Sequence, residues 1–167
     1  SFPTRRSSDL NCLIGPGDSS KSTILDAIDI CLGARRSLSI TDADFFRLDT
    51  TIPISIAITL GDLDDQLKNF DAYGSYLQGF DASSGAIEEE PGQGLEPVLT
   101  VKLEVAADLE PYWFLESSRG EAGEAARGLR WSARLRISPT RIGAMADYHL
   151  GWGRGSVLNR LSDERAD

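Results

Sequence analysis

The apolar positions change period along the chain, and each change marks an expected element. Asn11 to Ile14 (NCLI) is a short apolar run that meets a break at Gly15 and Pro16, the pattern of a buried strand ending in a loop. From Lys21 to Leu32, the residues Ile24, Leu25, Ile28, Cys31 and Leu32 recur at spacings of three and four, which places them on one helix face, and Gly33 supplies a stop. A strand, a glycine-containing loop and a helix therefore follow one another between 11 and 33. From Ile52 to Leu60 the period becomes two: Ile52, Ile54, Ile56, Ile58 and Leu60 alternate with Pro53, Ser55, Ala57 and Thr59, as in a half-buried strand. After Gly61, DLDDQLKNF predicts a short surface helix with Leu63, Leu67 and Phe70 on one side. AIEEEPGQG reads as an acidic loop. Further strands are expected around Leu99, Val101, Leu103 and Val105, and from Tyr112 to Glu116. A last alternating segment, LRWSARLRI, predicts a fourth strand with Leu129, Trp131, Ala133, Leu135 and Ile137 on one face and Arg130, Ser132, Arg134 and Arg136 on the other. The strands read as an antiparallel meander, a β-subdomain over about 52–137, followed by a helical segment over about 139–167, with no repeat at a fixed period.

The two ends carry their own expectations. SFPTRRSSDL has no initiator Met, no signal-peptide apolar region and no periodicity joining it to the run at Asn11, and it back-translates to a common sequencing-adapter oligonucleotide. Residues 1–10 are accordingly expected to be a translated adapter scar and 11–167 a partial domain. The polar, helix-like ending LSDERAD has no stop signal, which predicts truncation there as well.

Composition narrows the class. Of 167 residues, 41% are hydrophobic and 26% charged, as in a soluble globular domain, and no apolar run approaches the roughly 20 residues of a membrane-spanning helix. A transmembrane role is not expected. A net charge of -9 repels polyanions, so any DNA contact needs a local basic patch. Cys12 and Cys31 stand in apolar stretches without CxxC spacing, and His149 is the only histidine, which sets aside zinc sites and disulfide scaffolds. Reduced, buried thiols fit a cytoplasmic protein.

One motif carries chemistry. Gly15 to Ser22 reads GPGDSSKS against the phosphate-binding pattern GxxxxGK[ST], with Ser20 in place of the second glycine. Its expected position between a buried strand and an amphipathic helix is the context in which loop amides and a helix dipole converge on a polyphosphate. Gly15, Gly17, Asp18, Ser19 and Ser20 form the loop. Lys21 is placed to reach the β- and γ-phosphates of ATP, Ser22 offers the hydroxyl that coordinates Mg²⁺, and Thr23 can bond the α-phosphate. The plainer alternative is an ordinary strand-to-helix turn in which Asp18 or Ser19 caps the helix. Ser20 poses its own question. If the backbone there is left-handed, a side chain costs on the order of 1 to 2 kcal/mol, whereas in right-handed geometry the hydroxyl fits without strain.

NCLIGPGDSSKSTILDAIDICLGAR resembles the Walker A region of ABC-type ATPase heads of the RecF, SMC and OLD group, whose members read close to GPNNSGKSTLLDAI. Gly17-Asp18 replaces Asn-Asn here, and Ser20 replaces glycine. The likeness extends most closely to OLD-family ATP-dependent endonucleases, where a helix after the loop leads into an antiparallel β-subdomain, as TDADFFRLDTTIPISIAITLGDLDD does here. The resemblance implies an α/β fold, a P-loop NTPase lobe of ABC-ATPase type with an antiparallel β-subdomain, truncated at both ends. It implies ATP and Mg²⁺ as cofactors, a second ATPase head as partner, and DNA as the material acted upon. A signature motif, a Walker B glutamate and a Toprim nuclease would complete such a machine, and no catalytic residue is identifiable in this sequence. LGDLDDQ is not a convincing Walker B, because Asp62 follows Gly61 in a turn. The alternatives are a RecF- or SMC-like ATPase without nuclease, and a non-hydrolysing interaction module with a degenerate loop.

The remaining candidates have bland readings beside the functional ones. Gly61 to Ser118 holds two basic and thirteen acidic residues, whereas from Arg119 onward there are nine basic and six acidic. The arginine face of the expected fourth strand, with Arg119, Arg127, Arg141 and Arg154, could follow a DNA backbone, but a solvated sheet face is the preferred account. Glu88, Glu89 and Glu90 read as a solvated loop, since three consecutive side chains project in different directions. Asp42 and Asp44 lie where an ABC head senses the γ-phosphate, without the expected Gln. His149 lacks catalytic neighbours, Trp113, Trp131 and Trp152 read as packing residues, and Ser156 as a helix cap.

Overall fold

Glu96–Val105 forms the longest strand, and the rest of the fold is arranged around it. The computed structural model describes residues 12–17, 19–35, 37–119 and 128–140. In chain order these contain α1 (Lys21–Leu32), two short 3-10 turns (Asp42–Asp44 and Phe46–Leu48), β1 (Ile54–Leu60), α2 (Phe70–Tyr73), β2 (Leu77–Asp81), β3 (Ala86–Glu88), β4 (Glu96–Val105), β5 (Pro111–Glu116) and α3 (Trp131–Ile137). All five strands belong to one antiparallel sheet. β1 pairs with β4 from Ile54↔Val105 to Leu60↔Leu99. The other edge of β4 is divided: β2 takes Glu96 to Leu99, β5 takes Thr100 to Val105, and β3 lies outside β2.

The alternation in β4 sorts its side chains. Leu99, Val101, Leu103 and Val105 face the core and are almost fully buried, while Lys102 and Glu104 face the other way. On that second face Lys102 bonds Glu116 at 3.1 Å and lies 3.5 Å from Glu104, and Thr100 links Thr59 to Gln78. The bond to Glu116 and the nearby carboxylates hold the Lys102 ammonium above its ordinary range, despite some burial. Tight turns close the hairpins. Asp81 accepts bonds from the Ser83 N–H and from the Ser83 and Ser84 hydroxyls, which pull its carboxyl down to about 2. Asp108 similarly accepts from Glu110 N–H and Tyr112 Oη before β5.

α1 lies across the core face with its C-terminal turn buried. Cys31 Sγ sits 3.7 Å from the carbonyls of Ile56 and Val101, joining the helix to β1 and β4. Trp113 Nε1 on β5 donates to Ile30 O at 3.2 Å, Arg134 on α3 donates to Gly33 O at 2.9 Å, and Asp29 and Arg35 form an ion pair. Burial pushes the Cys31 thiol up to about 11. The sign follows. The unfolded chain gives up this proton near pH 9 and the folded chain does not, so stability falls as pH rises from 9 towards 11, by about 2 kcal/mol at the upper end. Urea melts at pH 8 and pH 10.5 should show this loss, and a Cys31→Ala variant should not. An unchanged slope in that variant would refute the assignment.

Several expectations need correction. Residues 129–137 do not form a strand: α3 is helical from Trp131, with Ala133 buried and Trp131 and Leu135 exposed. Leu129, Ala133 and Ile137 are four apart, so they satisfy an alternating face and a helical stripe equally, and Ala, Leu and Arg favour the helix. Of the NCLI run, the described residues 12–14 do not form a strand either. Among the described residues no strand pairs with 12–14, and Leu13 and Ile14 are 44% and 93% exposed. Cys12, expected to be buried, is exposed with them. DLDDQLKNF forms turns, capped where Asp64 Oδ1 accepts from the N–H groups of Gln66 and Leu67; the helix α2 starts only at Phe70, although Leu63 and Leu67 do reach the core. The acidic loop contains β3, and β2 was unforeseen. The sheet is no sequential meander, because β1 and β4 pair across the whole β2–β3 hairpin. The helical segment expected over about 139–167 lies, beyond 140, outside the described residues, as do residues 1–11.

Candidate phosphate-binding loop

Gly15 to Ser20 turn back over the first residue of α1. Lys21 Nζ donates to Gly15 O at 3.0 Å, to Pro16 O at 2.5 Å and to Ser19 Oγ at 2.8 Å. A lysine ammonium has three protons, and three loop acceptors take them. The loop therefore curls around the charge. This close approach constrains Gly15: a Cβ there would lie 2.7 Å from Ser19 Oγ, which requires one of the two groups to move.

α1 starts beneath the loop with its first helical bond from Ile24 N–H to Ser20 O, 3.1 Å. Ser20 makes no side-chain capping bond, and the first turn carries no acidic residue. Backbone amides at a helix start have no intrahelical acceptor, so this terminus offers donors and a partial positive charge to an anion. Ser22 and Thr23, both hydroxyl-bearing, are exposed residues of the same turn. Gly17 is exposed with open space around its Cα, and Asp18 lies outside the described residues.

Ser20 is left-handed, at φ 58° and ψ 21°. This is the geometry in which glycine is favoured and a Cβ is strained, by roughly 1–2 kcal/mol. Of the two conformations considered from the sequence, the structure has the costly one.

Other sequence candidates separate from this site. Asp44 Oδ2 accepts from Thr41 N–H and Oγ1, closing a capping box, and Asp42 opens the same short 3-10 turn. The arginine face dissolves with the strand that carried it. Arg134 stacks 4.5 Å from the Trp113 ring, Arg136 pairs with Asp64 at 3.1 Å, and Arg119 donates to the carbonyls of Glu89 and Leu77. These arginines fasten the chain to itself. Asp62 follows β1 in a left-handed turn with its N–H on Glu96 Oε1 at 2.7 Å, unlike a carboxylate ending a buried strand. Arg127, Arg141, His149, Trp152, Arg154 and Ser156 lie outside the described residues. Among the described residues no group of three or more His, Cys, Asp or Glu is arranged to hold a metal ion, and no helix is long and apolar enough to cross a membrane. Sequence reasoning did not assign a role to the carbonyl of Pro16, which makes the shortest bond to Lys21, and it placed Arg134 on a sheet face, not at the far end of α1 that it holds. Both act through backbone carbonyls, which leave no residue-type signal.

Neither a curated protein nor a solved structure matches the chain. A family model does, over residues 10–140, a span that includes the loop, α1, the whole sheet and α3. The chain thus belongs to the P-loop ATPase-like family described as AAA domain, putative AbiEii toxin, Type IV TA system.

Proposed function

We propose that this chain is the Mg-ATP-binding lobe of a DNA-processing ATPase of ABC type, with the OLD-family ATP-dependent endonucleases as its nearest functional class. The observation that carries the nucleotide reading is the Gly15–Ser20 loop closed around the ammonium of the first residue of α1. AAA-family proteins generally bind ATP and Mg²⁺, and the residues present suit that ligand. Lys21 supplies a positive charge held by neutral, exchangeable acceptors. The uncapped turn supplies amides, and Ser22 supplies a hydroxyl with no carboxylate beside it in that turn.

In this reading Mg-ATP brings a phosphoanhydride whose terminal phosphoryl group can pass to water. Lys21 would exchange loop carbonyls for oxygens of the β- and γ-phosphates, and the motif residues Gly15, Gly17, Asp18 and Ser19 would offer their amides to the same oxygens. Ser22 would hold the cation through its hydroxyl, and Thr23 would bond the α-phosphate. The fixed charge and the aligned amides bind and orient the polyphosphate. A second head completes the site, so that nucleotide joins two copies; the protein acts in the cytoplasm. DNA processing rests on the loop-and-helix resemblance and calls for ATP-dependent cleavage as its own assay.

The left-handed Ser20 favours a second reading, an interaction module whose loop no longer takes nucleotide. One titration separates them. With a fluorescent ATP analogue and Mg²⁺, the chain should bind saturably, and Ser20→Gly should bind several-fold more tightly, because glycine holds the loop in its left-handed shape without strain. No binding by either protein would establish the module. Equal binding by both would show that serine is accepted at this position.

A further inference from the structure

Among the described residues, the sheet guards two of its three outer strands and pairs no further strand with the third. β3 is only three residues long and runs into Glu89 and Glu90, and β5 starts at Pro111 and ends at Glu116. Short length, proline and charge are the usual means by which an edge strand avoids pairing with another chain. β1 has none of them within Ile54–Leu60: it is seven residues long, uncharged, without proline and without a left-handed residue before Asp62. Among the described strands it pairs only with β4.

Burial is also unfinished at this edge. Leu103 and Val105 on β4 are 0% exposed, whereas Ile54, Ile56 and Ile58, on the same face of the adjoining strand, are only part-buried. Another strand alongside β1 would cover them.

The order of side chains indicates which strand fits. ISIAITL reads nearly the same in both directions about Ala57: Ile56 matches Ile58, Ser55 matches Thr59, and Ile54 matches Leu60. We propose that the outer edge of β1 is a self-association surface, on which β1 of a second copy of this chain adds antiparallel about a two-fold axis through Ala57. Each isoleucine then meets an aliphatic residue of the other copy on the core face, and Ser55 meets Thr59 on the solvated face. Residues directly opposite in an antiparallel pair share a face, so both copies of α1 lie on the same side of one continuous sheet. A shift by one residue would bring apolar rows against polar ones, which fixes the register. No charge has to be neutralised. This association needs no nucleotide, which distinguishes it from the joining of two heads by ATP.

Sedimentation equilibrium of the full chain without nucleotide should show a reversible dimer. Ser55→Lys with Thr59→Lys, and separately Ser55→Glu with Thr59→Glu, set like charges opposite each other twice across the axis. Each double variant should raise the dimer dissociation constant by roughly tenfold or more. Mixing the two should restore dimers as heterodimers, because position 55 of one copy faces position 59 of the other. If either pair of substitutions prevents folding, judged by circular dichroism, Ala57→Cys in a Cys12→Ser background provides the alternative. Counterparts at the axis lie within disulfide range, and oxidation by Cu²⁺ should link the copies covalently. A wild-type chain that is monomeric throughout, a dimer indifferent to both charge sets, a dimer seen only with Mg-ATP, or an Ala57→Cys chain that stays unlinked would each overturn the proposal.

Discussion

Replacing Lys21 by alanine should lower Mg-ATP affinity by about a hundredfold or more. A lysine-to-phosphate contact is a charge-assisted bond, roughly 1.5–3 kcal/mol net, and removing the charge also takes away attraction to a multiply charged ligand. The geometry adds a second loss. Lys21 holds Gly15 O, Pro16 O and Ser19 Oγ together, so the loop of the alanine variant has no centre to close on. Binding would then also have to order the loop. Equilibrium titration with a fluorescent nucleotide measures the change, and circular dichroism should show the sheet intact, because Lys21 contacts none of its strands in these bonds. Arginine at this position should not rescue: its planar fork cannot satisfy three acceptors that surround one nitrogen. Unchanged affinity in Lys21→Ala would remove the loop from any account of nucleotide binding.

Leu103→Ala should destabilise the fold by about 3 kcal/mol, within the usual range for truncating a fully buried leucine. Leu103 is 0% exposed at the middle of β4, in register with Ile56 of β1 and Trp113 of β5. Those two neighbours are among the residues that seat α1, through Ile56 O near Cys31 and through the Trp113 bond to Ile30 O. The cavity would therefore open beneath the helix that presents Lys21. Urea denaturation should show a lower midpoint at an unchanged slope. Exposed Leu135, truncated in the same way, should change stability by less than about 1 kcal/mol. Equal losses at both positions would contradict the core described for β4.

Where one period fits a segment and no other does, the sequence could be read directly. β1 and β4 carry aliphatic residues at every second position over long runs, and α1 shows its stripe and its terminal Gly33. The start of α1 at Lys21, directly after the glycine-containing stretch, was legible too, because the loop motif is local. Three kinds of information were not local. Leu129, Ala133 and Ile137 fit two periods, and only their packing against the sheet decides between them. β2 contains Gly79 and shows no clean alternation, its strand character coming from pairing with β4. Gly79 lies where a Cβ would come within 2.7 Å of Glu90 O and Leu95, a contact made only after the β2–β3 hairpin has folded back. The pairing of Ile54 with Val105 joins residues far apart in the chain, and neither strand's composition names its partner. For the loop itself, the handedness of Ser20 was invisible in its side chain and is set by the way α1 begins.

α1 is clamped at one end and projects at the other. Its last turn is fixed by Cys31 against two strands, by Trp113 and by Arg134, whereas Ser22, Thr23 and Leu25 are exposed near its start. At 1.5 Å per residue, the twelve residues make a cantilever about 18 Å long. A small tilt at the clamp becomes a larger excursion at the tip, and a load on the tip bends most strongly near its root. The three fastenings thus govern where the Lys21 ammonium points, although none of them touches it, and loosening Arg134 would blur the aim of the loop while leaving every residue of the loop unchanged.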